Sequence, residues 1–153
     1  MQREDHRSLW RTMRIVLCLV AMATACSRAP DETRIREAIQ AMRSAAEARK
    51  AAGVLEYIAE DFTGNNGEAD REGLARILKF QFLRNTAFGA DVHGLSIAVD
   101  EGRATAKFDL ALSDSSGRWL PSGGETFAVV TGWRREGSRW ICYSATWNPK
   151  DKD

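Results

Sequence analysis

The stretch Leu95-Ser96-Ile97-Ala98-Val99-Asp100-Glu101-Gly102-Arg103-Ala104-Thr105-Ala106-Lys107-Phe108-Asp109-Leu110-Ala111-Leu112 decides the fold. Apolar side chains fall at every second position on either side of the turn Asp100-Glu101-Gly102-Arg103. A period of two marks a strand with one buried face, so this segment is an antiparallel hairpin. Upstream the period is helical. Ile35, Ala38, Ile39, Met42, Ala45 and Ala46 share one face of a helix that Pro30-Asp31-Glu32 starts and Gly53 breaks. Glu32–Arg36 and Arg43–Glu47 are spaced for i,i+4 pairing on the opposite face.

A second, shorter helix is expected from Val54 to about Glu60, followed by the turn-rich connection Phe62-Thr63-Gly64-Asn65-Asn66-Gly67. Asp70 is placed to cap a third helix reaching Arg84. Its main stripe is Leu74, Ile77, Leu78 and Phe82, with Gln81 in the middle, while Phe80 and Leu83 fall on the other side. A helix apolar on two faces needs two covers: a sheet, or a subunit contact. Downstream of Leu112, residues 113–124 form a Ser- and Gly-rich loop holding Trp119, and strands 125–135 and 139–147 meet at Glu136-Gly137-Ser138. The last strand carries Trp140 and Cys142 on one face and Ile141, Tyr143 and Trp147 on the other. Helices first and a long antiparallel sheet afterwards make an α+β chain.

Near the start, Ile15 to Ala25 is an apolar run behind Arg3, Arg7, Arg11 and Arg14. It is too short to span a bilayer and has the length of a secretory h-region. Ala23-Thr24-Ala25-Cys26 resembles the bacterial lipobox, whose cysteine is acylated and becomes the new N-terminus. The resemblance implies a bilayer-anchored envelope protein. Ser27 after the cysteine favours the periplasmic face of the outer membrane. Ala23-x-Ala25 also suits ordinary cleavage and secretion, and a buried cytosolic helix is a third reading. Met13-Arg14 offers an alternative, more compact start. The expected organisation is a signal at 1–25, a tether at 26–30, one domain at 31–147 and a polar tail at 148–153.

Composition narrows the function. The chain has 22 basic and 21 acidic side chains; the first 25 residues hold four Arg and two acids, so the remainder carries about −1. Such a balance supplies no long-range field for nucleic acid. With Cys18 in the signal and Cys26 acylated, Cys142 is left without a disulfide partner and is expected as a buried, inert thiol. His93 is the one histidine after residue 25, too few for most zinc sites. No Gly-rich phosphate loop is present, so neither cofactor nor metal is expected.

Ala45-Ala46-Glu47-Ala48-Arg49, Tyr57-Ile58-Ala59-Glu60-Asp61-Phe62, Arg71-Glu72-Gly73-Leu74 and the hairpin Gly132 to Trp140, in that order, resemble the nuclear transport factor 2-like superfamily, also called the SnoaL-like or cone fold. The resemblance spans residues 31–147. It implies N-terminal helices packed on a strongly curved antiparallel sheet around a conical pocket, often in a homodimer. Members include isomerases, dehydratases, cyclases and epoxide hydrolases, and also domains without chemistry, so fold leaves function open. Enzymatic members use a pocket carboxylate, often with a Tyr or His.

Asp61, His93 and Tyr57 are the candidates for such chemistry. Asp61, beside Tyr57, would be a general base if buried, or a turn carboxylate satisfied by backbone amides if not. His93 shares parity with Leu95, Ile97 and Val99 and would be a pocket base, or else a solvated residue at the rim. Asp109 sits by parity on the polar face beside Lys107, and Glu125 opens a strand. The expected pocket lining is Tyr57, Phe62, Gln81, Trp119, Trp133 and Tyr143, with Trp119 as a lid; the same aromatics serve equally as core and dimer packing. The balance of these residues favours non-catalytic binding of a small apolar ligand or a partner protein. A small isomerase, dehydratase or cyclase-type enzyme and a structural dimerisation module are the alternatives.

Overall fold

Asp31 and Glu32 open helix α1 (Asp31–Glu47), where carboxylates offset the unpaired amide dipoles of the first turn. The computed structural model describes residues 30–84, 88–114 and 126–150; Cys26, Trp119 and Glu125 lie outside the described residues. Both expected i,i+4 pairs form, Arg36–Glu32 at 2.8 Å and Arg43–Glu47 at 3.0 Å. Ile35, Ala38 and Ile39 form the buried stripe. The helix ends with Lys50 N–H donating to Ala45 O (2.8 Å) and Arg49 N–H to Ala46 O (2.9 Å). These paired bonds are those of a Schellman end, with Arg49 at φ +56° where glycine usually sits. Helix α2 (Ala51–Leu55) then turns back at once, so close that a Cβ on Gly53 would lie 2.9 Å from the Ala45 Cβ.

The expected helix from Val54 to Glu60 is corrected here: α2 stops at Leu55, and Ile58–Gly64 is strand β1. Phe62 and Gly64, expected in a turn, belong to this strand and are buried. The reason is tertiary. Strand β6 has an edge to satisfy, and Cys142 N–H donates to Tyr57 O at 2.8 Å, drawing the segment into the sheet against the helical propensity of its Ala and Glu. A left-handed turn through Asn65, Asn66 and Gly67 returns the chain along β2 (Ala69–Asp70). As expected, Asp70 caps helix α3 (Arg71–Arg84), its Oδ1 accepting the Gly73 N–H at 2.6 Å.

Strands β3 (Phe88–Asp100), β4 (Arg103–Asp114), β5 (Thr126–Glu136) and β6 (Arg139–Pro149) form the antiparallel meander. The sheet order is β2-β1-β6-β5-β4-β3, and β1 runs parallel to β6, which makes this cone sheet mixed and open at both edges. Two one-residue bulges bend the long strands. Between His93 and Ser96, β3 uses one residue more than β4, at Gly94 with φ +63°. Opposite Gly132 and Trp133, β6 carries Tyr143 as its extra residue.

Each bulge reverses the alternation beyond it, and both reversals change an expected placement. His93 pairs with Asp109 on the outer face and is exposed, instead of facing inward with Ile97 and Val99. Trp147 pairs with Val129, on the inward row of Thr131 and Trp133, instead of sharing a face with Ile141 and Tyr143. A Cβ on Gly64 would come within 2.8 Å of the Trp147 ring, so glycine is what lets the indole lie across β1.

The core forms where α1 crosses the concave face: Ile35, Ile39, Ile58, Phe62, Trp133, Trp140 and Cys142 pack with Ala104 and Ala106. Asp31 fastens the start of α1 to the far hairpin, accepting from Trp140 Nε1 (3.0 Å) and Arg135 Nη2 (2.5 Å). A buried indole N–H thereby keeps its partner.

Candidate functional site

Inward alternation on β3, β4 and β5 brings Ala90, Val92, Phe108, Leu110 and Thr131 under α1, whose Ile39, Met42, Arg43 and Ala46 face them. Val54 of α2 and Leu78 of α3 close one side, and Leu112, Trp133 and Cys142 complete the wall. Together they enclose a cavity of about 220 Å³, partly open to solvent. It is smaller than the 300–1,000 Å³ of most drug-sized sites, yet larger than the ~150 Å³ cavity that accommodates benzene in an engineered core.

The polar atoms around this cavity are spent on each other. Trp133 Nε1 donates to Thr131 Oγ1 at 2.8 Å, and the Thr131 hydroxyl donates to Ala106 O at 3.2 Å. The Cys142 thiol points to Ser144 O at 3.3 Å, and burial pushes it up to about 12, so it stays protonated and unreactive near neutrality. Arg43 lies along the wall with its guanidinium bound to Glu47 at 3.0 Å and to Asp91 of β3 at 2.9 Å. Its stem contributes apolar surface while its charge stays outside. The strap so formed ties α1 to β3 across one side of the cavity. Among the described residues, no group of His, Cys, Asp or Glu is placed to hold a metal ion.

Among the described residues of the expected lining, Trp133 alone faces this cavity. Phe62 is buried in the core beside it, and Tyr57 packs on the core's edge with Arg139 stacked 5.7 Å from its ring centroid. Gln81 is half-buried on α3 and is not part of the wall. Tyr143 projects from the outer face between Arg103 (5.5 Å) and Arg134 (5.8 Å).

The chemical candidates stand apart from the cavity as well. Asp61 is not a buried acid beside Tyr57. It is 67% exposed and grips Arg134 through two bonds of 2.7 and 2.8 Å. The Arg134 guanidinium therefore holds its carboxyl below the usual carboxylate range. Asp109 lies on the polar face as expected, paired with Lys150 at 2.9 Å. Sequence reasoning missed Arg43, Met42 and Thr131. Thr131 carried a signal, being the polar residue on the inward row of β5 between Val129 and Trp133.

No protein-family model matches the chain, and no curated protein matches it in sequence. Solved structures do match in shape. A nuclear transport factor 2-like protein of unknown function from Pseudomonas putida superposes with a TM-score of 0.67 at 16% identity, over 79% of this chain and 87% of that one. A dehydratase candidate of the same family from Streptomyces avermitilis gives 0.66 at 12% identity, over 78% and 96%. A cystatin-like protein of unknown function from Nostoc punctiforme gives 0.65 at 15% identity, over 82% and 95%. Identities this low speak to architecture alone. Helices on the concave side of a bent six-stranded sheet, with these neighbours, establish that the chain has the nuclear transport factor 2-like cone fold.

Proposed function

We propose that this chain is a non-catalytic binding protein whose cone cavity takes one small, neutral, apolar molecule. The observation that carries the reading is the wall itself: an apolar space of about 220 Å³ whose hydroxyl and indole are already bonded to each other and whose thiol is protonated. Among the described residues that line it there is no carboxylate or imidazole, so they offer apolar contact and nothing to move a proton. A fused bicyclic hydrocarbon matches the size. Naphthalene is expected to bind with Kd on the order of 10–100 μM, from roughly 0.6 kcal/mol per carbon. Calorimetric titration tests this. Ala46→Phe places a ring in the cavity and should abolish binding while leaving the melting temperature nearly unchanged; naphthalene uptake that survives the substitution would sink the reading.

The address of the protein is part of the same proposal. Acylation of Cys26 would hold the domain on the bilayer, with the periplasmic face of the outer membrane favoured. Cys26→Ser is expected to give an unprocessed or soluble form, seen by membrane fractionation and intact mass; unchanged processing and fractionation would refute the anchor. A homodimer formed through the outer sheet face, where Val130 is exposed, completes the proposal. Sedimentation should report a dimer for the native chain and a monomer for Val130→Glu.

A further inference from the structure

Helix α3 buries one apolar residue, Phe82, and leaves three in the open: Ile77 is 49% exposed, Phe80 55% and Leu83 87%. At 100° per residue these three share one arc with Arg76 and Arg84, and Lys79 borders it. Glu72, paired with Arg76 at 3.8 Å, is the one acid on the helix, and it lies at the opposite end. Arg84 stacks over Phe80 at 5.1 Å. Beside the arc, a groove of about 530 Å³ between the end of α1 and α3 is lined by Ala48, Ala51, Phe82 and Leu83, with Arg49 and Lys79 in its wall. The cations and the exposed apolar side chains therefore coincide on one surface.

We propose that this face of α3 is a docking surface for an anionic lipid bilayer, with Phe80 and Leu83 entering the headgroup region and Arg76, Lys79 and Arg84 meeting lipid phosphates. The arrangement is that of a helix lying in the interface plane: bulky apolar residues interspersed with cations on one arc, and a single acid, Glu72, at the N-terminal end. Charge complementarity selects the occupant. A second copy of the same face would set like charges against each other, and three apolar side chains fall well short of the ~800 Å² per partner of a stable protein interface. Each basic residue held near an anionic leaflet strengthens the contact, and salt weakens it. The contact would set how the domain sits on the membrane; it depends neither on what the cavity holds nor on acylation of Cys26.

The test uses the full chain reconstituted into phosphatidylcholine vesicles with or without about a third phosphatidylglycerol, so that whatever anchors the N-terminus is the same in both. Hydroxyl-radical oxidation of Phe80 and Leu83 is read against Val99, an exposed residue of β3. On anionic vesicles it should fall about threefold or more relative to neutral ones, and recover in ~0.5 M salt. The Lys79→Glu, Arg84→Glu pair should abolish that difference; both side chains are exposed, so the fold is kept. Equal oxidation on the two vesicles would overturn the proposal. So would equal protection already present in detergent, which would indicate a protein contact instead.

Discussion

Replacing Trp133 by alanine lowers the stability of this domain by about 3–5 kcal/mol, the largest single-residue loss expected among the described residues. Trp133 is 1% exposed and touches both halves of the fold: it stands opposite Ala104 on β4 and Cys142 on β6, beneath α1. Its removal opens a cavity that Ala104 and Ala106 are too short to fill, and it strips the Thr131 hydroxyl of its donor. Trp133→Phe keeps a six-membered ring but loses that hydrogen bond and some volume, at a cost of about 1–2 kcal/mol. Urea denaturation of the three proteins should rank them wild type, phenylalanine, alanine in falling stability. For a domain of this size the alanine variant should melt roughly 10–20 °C lower. A loss under ~1 kcal/mol would mean that the indole is not the centre of the core. Naphthalene affinity should fall with it, because Trp133 also walls the cavity.

The second large effect is a loss of stability in alkali that depends on one thiol. Burial raises the Cys142 thiol from 9.0 to about 12 in the folded chain. Between those two values the unfolded chain has released its proton while the folded chain still holds it, so fewer protons are bound in the unfolded state. Stability is fully present below pH 9 and falls as pH rises toward 12, by about 1.4 kcal/mol per unit at most. Cys142→Ala should flatten this portion of the stability curve, measured by denaturant titration between pH 8 and about 11. The same protonated, buried thiol should resist iodoacetamide at pH 8 until the chain is unfolded. Rapid alkylation of the native protein would contradict the burial on which the cavity argument rests.

Neither candidate base reached the cavity, for reasons a one-dimensional pattern does not carry. His93 has the parity of an inward residue, but Gly94 adds a residue to β3 and turns the imidazole outward, opposite Asp109. Asp61 sits between the buried Ala59 and Phe62, yet its neighbour in space is Arg134, 73 residues away, which holds it at the surface. The real lining is a set of positions from the three helices and from β3 to β6, Ile39, Val54, Leu78, Phe108 and Thr131 among them, ordinary core residues when read one at a time.

What the amino-acid sequence determined alone is whatever depends on near neighbours along the chain. Asp70 starts a helix because its carboxylate satisfies an amide within the next turn, and Asp31 and Glu32 start one because negative charge suits the first turn. Glu101 and Gly102, with φ of +38° and +83°, turn a hairpin, as does Gly137, because few residues tolerate such angles. The switch from helical to twofold periodicity announced the α+β layout because each element must bury one face. The tertiary structure decided the rest: that Ile58–Gly64 is a strand, that β1 lies parallel to β6, that bulges at Gly94 and Tyr143 reverse His93 and Trp147, and that Ile77, Phe80 and Leu83 stay uncovered. Pairing partners lie tens of residues apart. A single inserted residue reverses every side chain beyond it, and local propensity, worth under ~1 kcal/mol per residue, yields to a sheet edge that must be satisfied.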